Sequence, residues 1–301
     1  MKLLTVLLGR CDKNMVILKD FKVETNPTWC PGCGHYTVLA ALQRAAANLG
    51  LEPDNMVLVT GIGCSSKISQ HFNSYGVHSL HGRALPVATG VKLANHDLTV
   101  VAAGGDGDGY GIGVGHFMHT LRRNIDITYI VMDNHIYGLT TGQTSPVSQK
   151  GFKSKTSPHG SAEEPLRPLQ TAIINGASFV AQAFAGDINQ MTRIFEEGIK
   201  HRGFSHINVF SPCVTFNKIN TFEWFKEHLV NLDEKSDYDY TNKYHALEFL
   251  DRHGSIVTGI LYQEDRPTYH EVMIGATKTP TSKLDLTIPK EESERLKALF
   301  R

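Results

Sequence analysis

Hydrophobic and polar positions fall into two kinds of segment along this chain. Short apolar runs rich in β-branched residues (Met56 to Thr60, Leu98 to Ala103, Ile127 to Met132, His206 to Phe210) read as buried strands, each followed by glycine, proline or polar residues. Between the second and third runs, an amphipathic segment ending at Arg123 has the pattern of a helix. Gly104 to Gly142 is therefore one strand-turn-helix-strand unit, which predicts an α/β fold with parallel strands. Open sheets of this kind bind ligands at the carboxyl ends of their strands, so Gly105-Asp106-Gly107 and Asp133-Asn134 are expected to meet in space.

Beyond Cys213 the pattern weakens. Asn220 to Val230 reads as a helix with Trp224 and Phe225 on its apolar side, Asn231 to Asn242 as an acidic surface loop, and Ser255 to Tyr262 as a late strand. The tail from Thr277 to Arg301, helical in pattern over Lys290 to Leu299, is expected to form an arm on a partner.

The glycine-rich unit carries chemistry. The Asp106 carboxylate, the Asn134 carboxamide and a loop carbonyl are hard oxygen donors, which suit Mg2+ or Ca2+ bridging to phosphates. No strict G-x-G-x-x-G lies between Gly105 and Gly115, and the chain has no G-x-x-x-x-G-K-[ST]. An EF-hand starting at Asp106 fails because Phe117 stands where the closing glutamate belongs. The alternative is a structural glycine turn with no ligand.

The 301 residues carry 30 acidic and 30 basic side chains, which leaves no electrostatic footprint for nucleic acid or an anionic membrane; neither partner is expected. The amino-terminal MKLLTVLLGRCDKN falls short of a secretion signal, and no apolar run reaches a membrane span, so a cytoplasmic protein is expected, with Met15 as a second possible start. Five cysteines do not make a disulfide framework, but four of them are placed tellingly: Cys30 and Cys33 in C-P-G-C, Cys64 in GIGCSSK and Cys213 in SPC. Four thiolates gathered this way would hold a cubane iron-sulfur cluster or a structural zinc; a thioredoxin-like pair at Cys30 and Cys33 is the competing reading. Cys11 stands apart.

Gly105-Asp106-Gly107 followed by Asn134 resembles the thiamine diphosphate motif. Taken with WCPGCG at 29 to 34, GIGCSSK at 61 to 67, HGRALPVATG at 81 to 90, GGDGDGYGIGVGH at 104 to 116, DNHIYGLTTGQTSP at 133 to 146 and FSPC at 210 to 213, the chain resembles the β subunit of the 2-oxoacid:ferredoxin oxidoreductases over about residues 20 to 220. The resemblance implies the thiamine diphosphate-binding fold, a mostly parallel sheet flanked by helices. It implies an N-terminal extension over residues 1–19, a thiamine- and iron-sulfur-binding domain over 20–220, and a C-terminal extension over 221–301 packed on that domain or on a partner. Asp106, Asn134 and the Ile136 carbonyl would hold Mg2+ on the diphosphate. Gly105, Gly107, Ile62, Cys64 and His81 would line the cofactor, and Cys30, Cys33, Cys64 and Cys213 would hold one 4Fe-4S cluster.

By the same resemblance the chain needs an α subunit, which completes the thiamine site, and passes electrons to ferredoxin. The implied reaction is oxidative decarboxylation of a 2-oxoacid with coenzyme A to acyl-CoA and CO2. Lys67 would pair with the substrate carboxylate, and His81 and Arg83 would face the thiamine pocket; the plain alternatives are a solvated lysine and a hydrogen-bonded structural histidine. The wording GDGDGYGIG and GLT-x-GQ-x-SP leans towards members that use 2-oxoglutarate, with pyruvate or mixed specificity open. Thr141 stands where many relatives carry Lys or Gly, which leaves substrate contacts from that loop open. Two other classes remain at this point: a non-redox thiamine-dependent decarboxylase or synthase whose cysteines hold zinc or nothing, and a non-catalytic binding protein.

Overall fold

The computed structural model describes residues 16–273 and 279–300; Cys11, Met15, Thr277 and Arg301 lie outside them. In chain order the strands are β1 (Met56–Thr60), β2 (Tyr75–His78), β3 (Thr99–Gly105), β4 (Ile127–Asp133), β5 (Ile136–Tyr137), β6 (Gln143–Thr144), β7 (Phe179–Phe184), β8 (Phe204–Phe210), β9 (Val230–Asn231) and β10 (Val257–Gln263). The α-helices are α1 (His35–Asn48), α2 (Ala84–Ala94), α3 (Val114–Arg123), α4 (Pro168–Ile174), α5 (Ile188–Lys200), α6 (Phe222–His228), α7 (Lys243–Arg252), α8 (Tyr269–Met273) and α9 (Lys290–Ala298). Eight strands form one sheet in the order β2-β1-β3-β4-β8-β7-β10-β9, while β5 and β6 pair separately. Neighbours in the large sheet run parallel except β10, which is antiparallel to β7.

Successive strand residues feed two different cores. Val57, Val59, Val100, Ala102, Tyr129 and Val131 pack with Leu85 of α2, Phe117 and Leu121 of α3, Leu169 of α4 and Leu250 of α7. Their neighbours Met56, Leu58, Val101, Ala103, Ile130 and Met132 turn the other way, onto Val38 and Leu42 of α1 and Ile194 and Phe195 of α5. With helices on both faces, β1, β4, β7 and β8 are buried along their whole length, which is why β1 and β4 read as continuous apolar runs; Gln182 interrupts β7, which was not expected, and Ser205, His206 and Asn208 interrupt β8. The exposed four-residue β2 has no such run and was not expected.

The chain passes from β1 to β2 on one side and then to β3 on the other, so the strand order reverses between β1 and β3. The crevice above that point is where a doubly wound sheet accepts a ligand. After β3 the chain winds as a wide π-type turn over Gly107–Ile112 before α3 begins. Such turns recur at functional sites. Asn124, left-handed at φ 50, ends α3 and turns the chain into β4.

The later segments follow the pattern with local differences. The stretch expected as a surface loop from Asn231 opens in β9, and Leu232 is buried against Gly259, where a Cβ would come within 2.7 Å of it. Helix α9 has no buried residue, and Lys283, ahead of it, reaches Asp97 at 2.7 Å. Among the described residues no helix is long and apolar enough to cross a membrane.

Candidate functional site

Five of the loops that carry the chemistry each follow a strand of the parallel part of the sheet, while Cys30 and Cys33 come from the segment that leads into α1. Gly61–Lys67 follows β1, Leu80–Arg83 follows β2, Asp106–Asp108 follows β3, Asn134 follows β4 and Ser211–Cys213 follows β8. Their strands are consecutive in the sheet, so residues far apart in sequence converge on one edge.

A cavity of about 250 Å³ opens there, and its walls include Ile62, Cys64, His81, Gly105, Asp106, Gly107, Asn134 and Ile136. Asp106 is 1% exposed, and its Oδ2 has no hydrogen-bond partner. Burial first, and then the nearby Asp133 carboxylate, push the Asp106 carboxyl above the usual carboxylate range. Asn134 Oδ1 accepts the Ile136 N–H at 3.1 Å, and Asn217 Nδ2 donates to the Asn134 carbonyl at 3.0 Å. The tight turn leaves His135 at φ 61, and Ser148 Oγ fixes it by donating to the His135 carbonyl at 2.5 Å. Tyr137 Oη donates to the Gly107 carbonyl at 3.0 Å, and a Cβ on residue 107 would lie 2.2 Å from the Tyr137 ring, so only glycine fits. A buried carboxylate with one oxygen left free, beside a carboxamide and a main-chain carbonyl, is a donor set that fits Mg2+.

Asp108 ties this pocket together. Its Oδ1 accepts the N–H groups of Ile62 at 3.0 Å and Gly82 at 2.7 Å, and lies 2.9 Å from His81 Nδ1. A Cβ on Gly61 or Gly104 would meet Asp108 Oδ2 at 2.0 or 2.6 Å. The sequence offered a signal for it, a second aspartate in G-D-G-D-G, but only the EF-hand comparison made use of it. Tyr137 and Ser65, which also line the cavity, were missed too.

A second cavity, of about 220 Å³, is lined by Cys30, Cys33, Cys64 and Cys213 together with Trp29, His35 and Lys67. Three contacts gather the cysteine loops. Trp29 Nε1 donates to the Cys64 carbonyl at 2.6 Å, Gly34 N to the Pro212 carbonyl at 3.4 Å, and His35 Nδ1 meets Ser211 Oγ at 2.7 Å. Gly34 must be glycine, because a Cβ there would stand 2.6 Å from Ser211 Oγ. All four thiols are free, and burial, with smaller contributions from the other three, pushes Cys33 up to about 12. Burial also raises Cys64, and the Lys67 ammonium opposes the rise. Cys33 and Cys64, half-buried thiols that resist ionisation, call for a cationic group to hold them as thiolates, and with the exposed Cys30 and the half-buried Cys213 beside them the set fits an iron-sulfur cluster. Among the described residues no three His, Cys, Asp or Glu side chains converge as a single-ion site requires; a cubane instead takes one thiolate at each of four irons.

The two cavities share a wall. Cys64, Asn134, Gly138 and Leu139 line both, and a Cβ on Gly138 would lie 3.7 Å from Asn134 Nδ2, 3.8 Å from Cys64 Sγ and 3.9 Å from Cys213 Sγ. Lys67 lies on the cysteine side, its Nζ 3.3 Å from Thr28 Oγ1. Arg83 is not among the residues that line the first cavity within this chain. Gly82, at φ 69, turns the chain so that His81 faces the cavity while the Arg83 guanidinium lies 3.5 Å from the carbonyls of Gly82 and Ile112.

Comparison with known proteins gives this geometry a family. Residues 61–209 match the C-terminal TPP-binding domain of the thiamine pyrophosphate enzymes, and residues 213–278 match the C-terminal part of the pyruvate ferredoxin oxidoreductase β chain. A 2-oxoacid:ferredoxin oxidoreductase subunit β from a Sulfolobus species is 41% identical over 259 residues, 81% of this chain and 84% of that one. The chain belongs to the β subunits of the 2-oxoacid:ferredoxin oxidoreductases. The β subunit from Saccharolobus solfataricus is 47% identical over 74% of this chain and 73% of its own length. A solved 2-oxoglutarate:ferredoxin oxidoreductase from Magnetococcus marinus, with 2-oxoglutarate, coenzyme A and succinyl-CoA bound, superposes with a TM-score of 0.86 at 40% identity, covering 94% of this chain and 96% of that one. The α/β fold and the thiamine dependence of this β subunit follow from these matches, and every wall of the first cavity lies within the matched TPP-binding region.

Proposed function

We propose that this chain is the thiamine-binding β subunit of a cytoplasmic 2-oxoglutarate:ferredoxin oxidoreductase, carrying Mg2+ and one 4Fe-4S cluster and assembled with an α subunit. The reaction is oxidative decarboxylation of 2-oxoglutarate with coenzyme A to succinyl-CoA and CO2, with the electrons passing to ferredoxin. The observation that carries the reading is the shared wall: the carboxylate-carboxamide cradle and the four-thiol cavity meet at Cys64, Asn134, Gly138 and Leu139. The substrate assignment is supported by the 2-oxoglutarate-bound relative and by the 2-oxoglutarate synthase subunit KorB of Archaeoglobus fulgidus, 44% identical over 68% of this chain.

When bound, thiamine diphosphate supplies carbanion stabilisation at the substrate's 2-carbon, and the cluster supplies one-electron acceptance. The protein's own residues do the holding. Asp106, Asn134 and the Ile136 carbonyl would hold Mg2+, Gly105 and Gly107 would let the backbone approach the diphosphate, and Ile62, Cys64 and His81 wall the pocket. Cys30, Cys33, Cys64 and Cys213 would hold the cluster, and Lys67 would offer a cation to a substrate carboxylate. Around the His81–Arg83 turn, Leu80 is 72% exposed and Ile112 55%, an apolar surface suited to the α subunit.

The test is iron, acid-labile sulfide and zinc content of the complex purified without oxygen, followed by anaerobic ferredoxin reduction with 2-oxoglutarate or pyruvate. About four irons and four sulfides per β chain, and a coenzyme A-dependent rate favouring 2-oxoglutarate, are expected. Zinc without sulfide would sink the redox reading, and a preference for pyruvate would sink the substrate assignment alone.

A further inference from the structure

The group opposite His81 has no role in the reading above beyond joining loops, yet its geometry is specific. Asp108 is 3% exposed and sits beneath the pocket, with Oδ1 fixed by two backbone N–H groups and Oδ2 closed over by Gly61 and Gly104. Such a carboxylate has little freedom to rotate. The same Oδ1 lies 2.9 Å from His81 Nδ1, off the axis of a straight hydrogen bond. Bonds of this kind are often poorly aligned in an empty site and tighten when it fills. On another side, the Tyr137 ring lies 6.1 Å from the imidazole between centroids.

We propose that Asp108 is a positioning residue that holds His81 with its proton on Nδ1. An ionised carboxylate only accepts hydrogen bonds, so the contact is attractive when Nδ1 carries hydrogen. In the neutral ring this leaves Nε2 as an acceptor for an N–H or O–H group in the cavity, and no proton leaves the histidine. The pairing crosses three strands: Asp108 follows β3, Ile62 follows β1 and His81 follows β2. One carboxylate thus sets both the spacing of the three loops and the tautomer of the ring they present. The inference rests on His81 being a working residue of the thiamine pocket.

The test uses the complete α–β complex loaded with thiamine diphosphate and Mg2+. With 15N-labelled histidine in the β chain, the signals lost in His81→Gln identify His81, and a protonated Nδ1 with an unprotonated Nε2 is expected. A neutral ring protonated on Nε2 would overturn the proposal. Asp108→Asn keeps an acceptor for the Ile62 and Gly82 N–H groups but removes the charge. It should bind thiamine diphosphate as the parent does, shift His81 towards a mixture of tautomers, and lower kcat about tenfold with KM nearly unchanged. In a His81→Gln background it should lower kcat no further, whereas additive losses would mark Asp108 as a loop tie only and refute a role through the ring. Loss of assembly or of thiamine diphosphate binding in Asp108→Asn would likewise count against it. If His81→Gln alone leaves kcat intact, the assignment of His81 fails, and the tautomer measurement still reports separately on the Asp108 contact.

Discussion

A carboxylate that is 1% exposed, with one oxygen that no donor reaches, destabilises a protein until a cation arrives, and Asp106 is in that position. Asp106→Asn removes the buried charge at nearly constant volume. The metal-free variant should be more stable than the parent by about 1 kcal/mol, or roughly 2–4 °C in Tm. It should also lose Mg2+-dependent thiamine diphosphate binding. Thermal melts with and without Mg2+ and thiamine diphosphate check both, and a variant that melts below the parent when metal-free would contradict the argument. Gly107 makes a different demand, because a methyl group there collides with the Tyr137 ring that its own carbonyl anchors. Gly107→Ala should weaken thiamine diphosphate binding about tenfold or more by titration. Gly90, exposed in α2 with open space around it, is the control, and Gly90→Ala should stabilise by about 0.5–1 kcal/mol in urea denaturation.

At the scale of elements, α5 supports the sheet from below the cysteine side and packs along α1, whose amino end carries Cys33. Its first turn is held by Asp187, whose side chain accepts from the N–H groups of Asn189 and Gln190. Asp187→Ala should cost about 1 kcal/mol of stability, read from the urea midpoint at unchanged slope. The sequence pattern did not reveal α5 or α1, whereas strands such as β1 and β4 were legible because parallel strands are buried on both faces and write themselves as apolar runs. The Asp106 and Asn134 pair was legible for a related reason: a single strand-helix-strand unit joins them, so local pattern suffices to bring them together. Asp108 and His81 meet only because β2, β1 and β3 are neighbours, and strand order is not written in either residue's surroundings. Spacing likewise cannot show that a left-handed Gly82 stands between His81, which lines the cavity, and Arg83, whose guanidinium meets the Gly82 and Ile112 carbonyls. Leu232 was hidden in a polar stretch and is buried only because β10 brings Gly259 beneath it.

For the molecule as a whole, the sheet that gathers the site must also bury polar groups in its interior, and His206 of β8 is the clearest case. It is fully buried, with Phe117 at 4.8 Å and Tyr129 at 6.1 Å between ring centroids; its Nε2 lies 3.1 Å from Tyr110 Oη, and its Nδ1 has no partner. Burial lowers its pKa from 6.5 to about 3. The folded chain therefore keeps this ring neutral down to about pH 3, whereas the unfolded chain protonates it below 6.5. Below 6.5 the unfolded state binds the extra proton, so the stability contribution is fully present above that pH and falls steadily towards pH 3. At about 1.4 kcal/mol per pH unit, the loss between pH 6.5 and 4 is on the order of 3 kcal/mol. Tyr110 Oη also donates to Asn208 Oδ1 at 2.8 Å, so a replacement at 206 does not leave the phenol unpaired. His206→Gln should lower stability at pH 7 while flattening its decline into acid. Comparing urea denaturation of parent and variant at pH 7 and pH 4 cancels the contributions of the other histidines. Parallel declines would mean that this ring takes up its proton in the folded state and that the β8 core is wetter than its packing indicates.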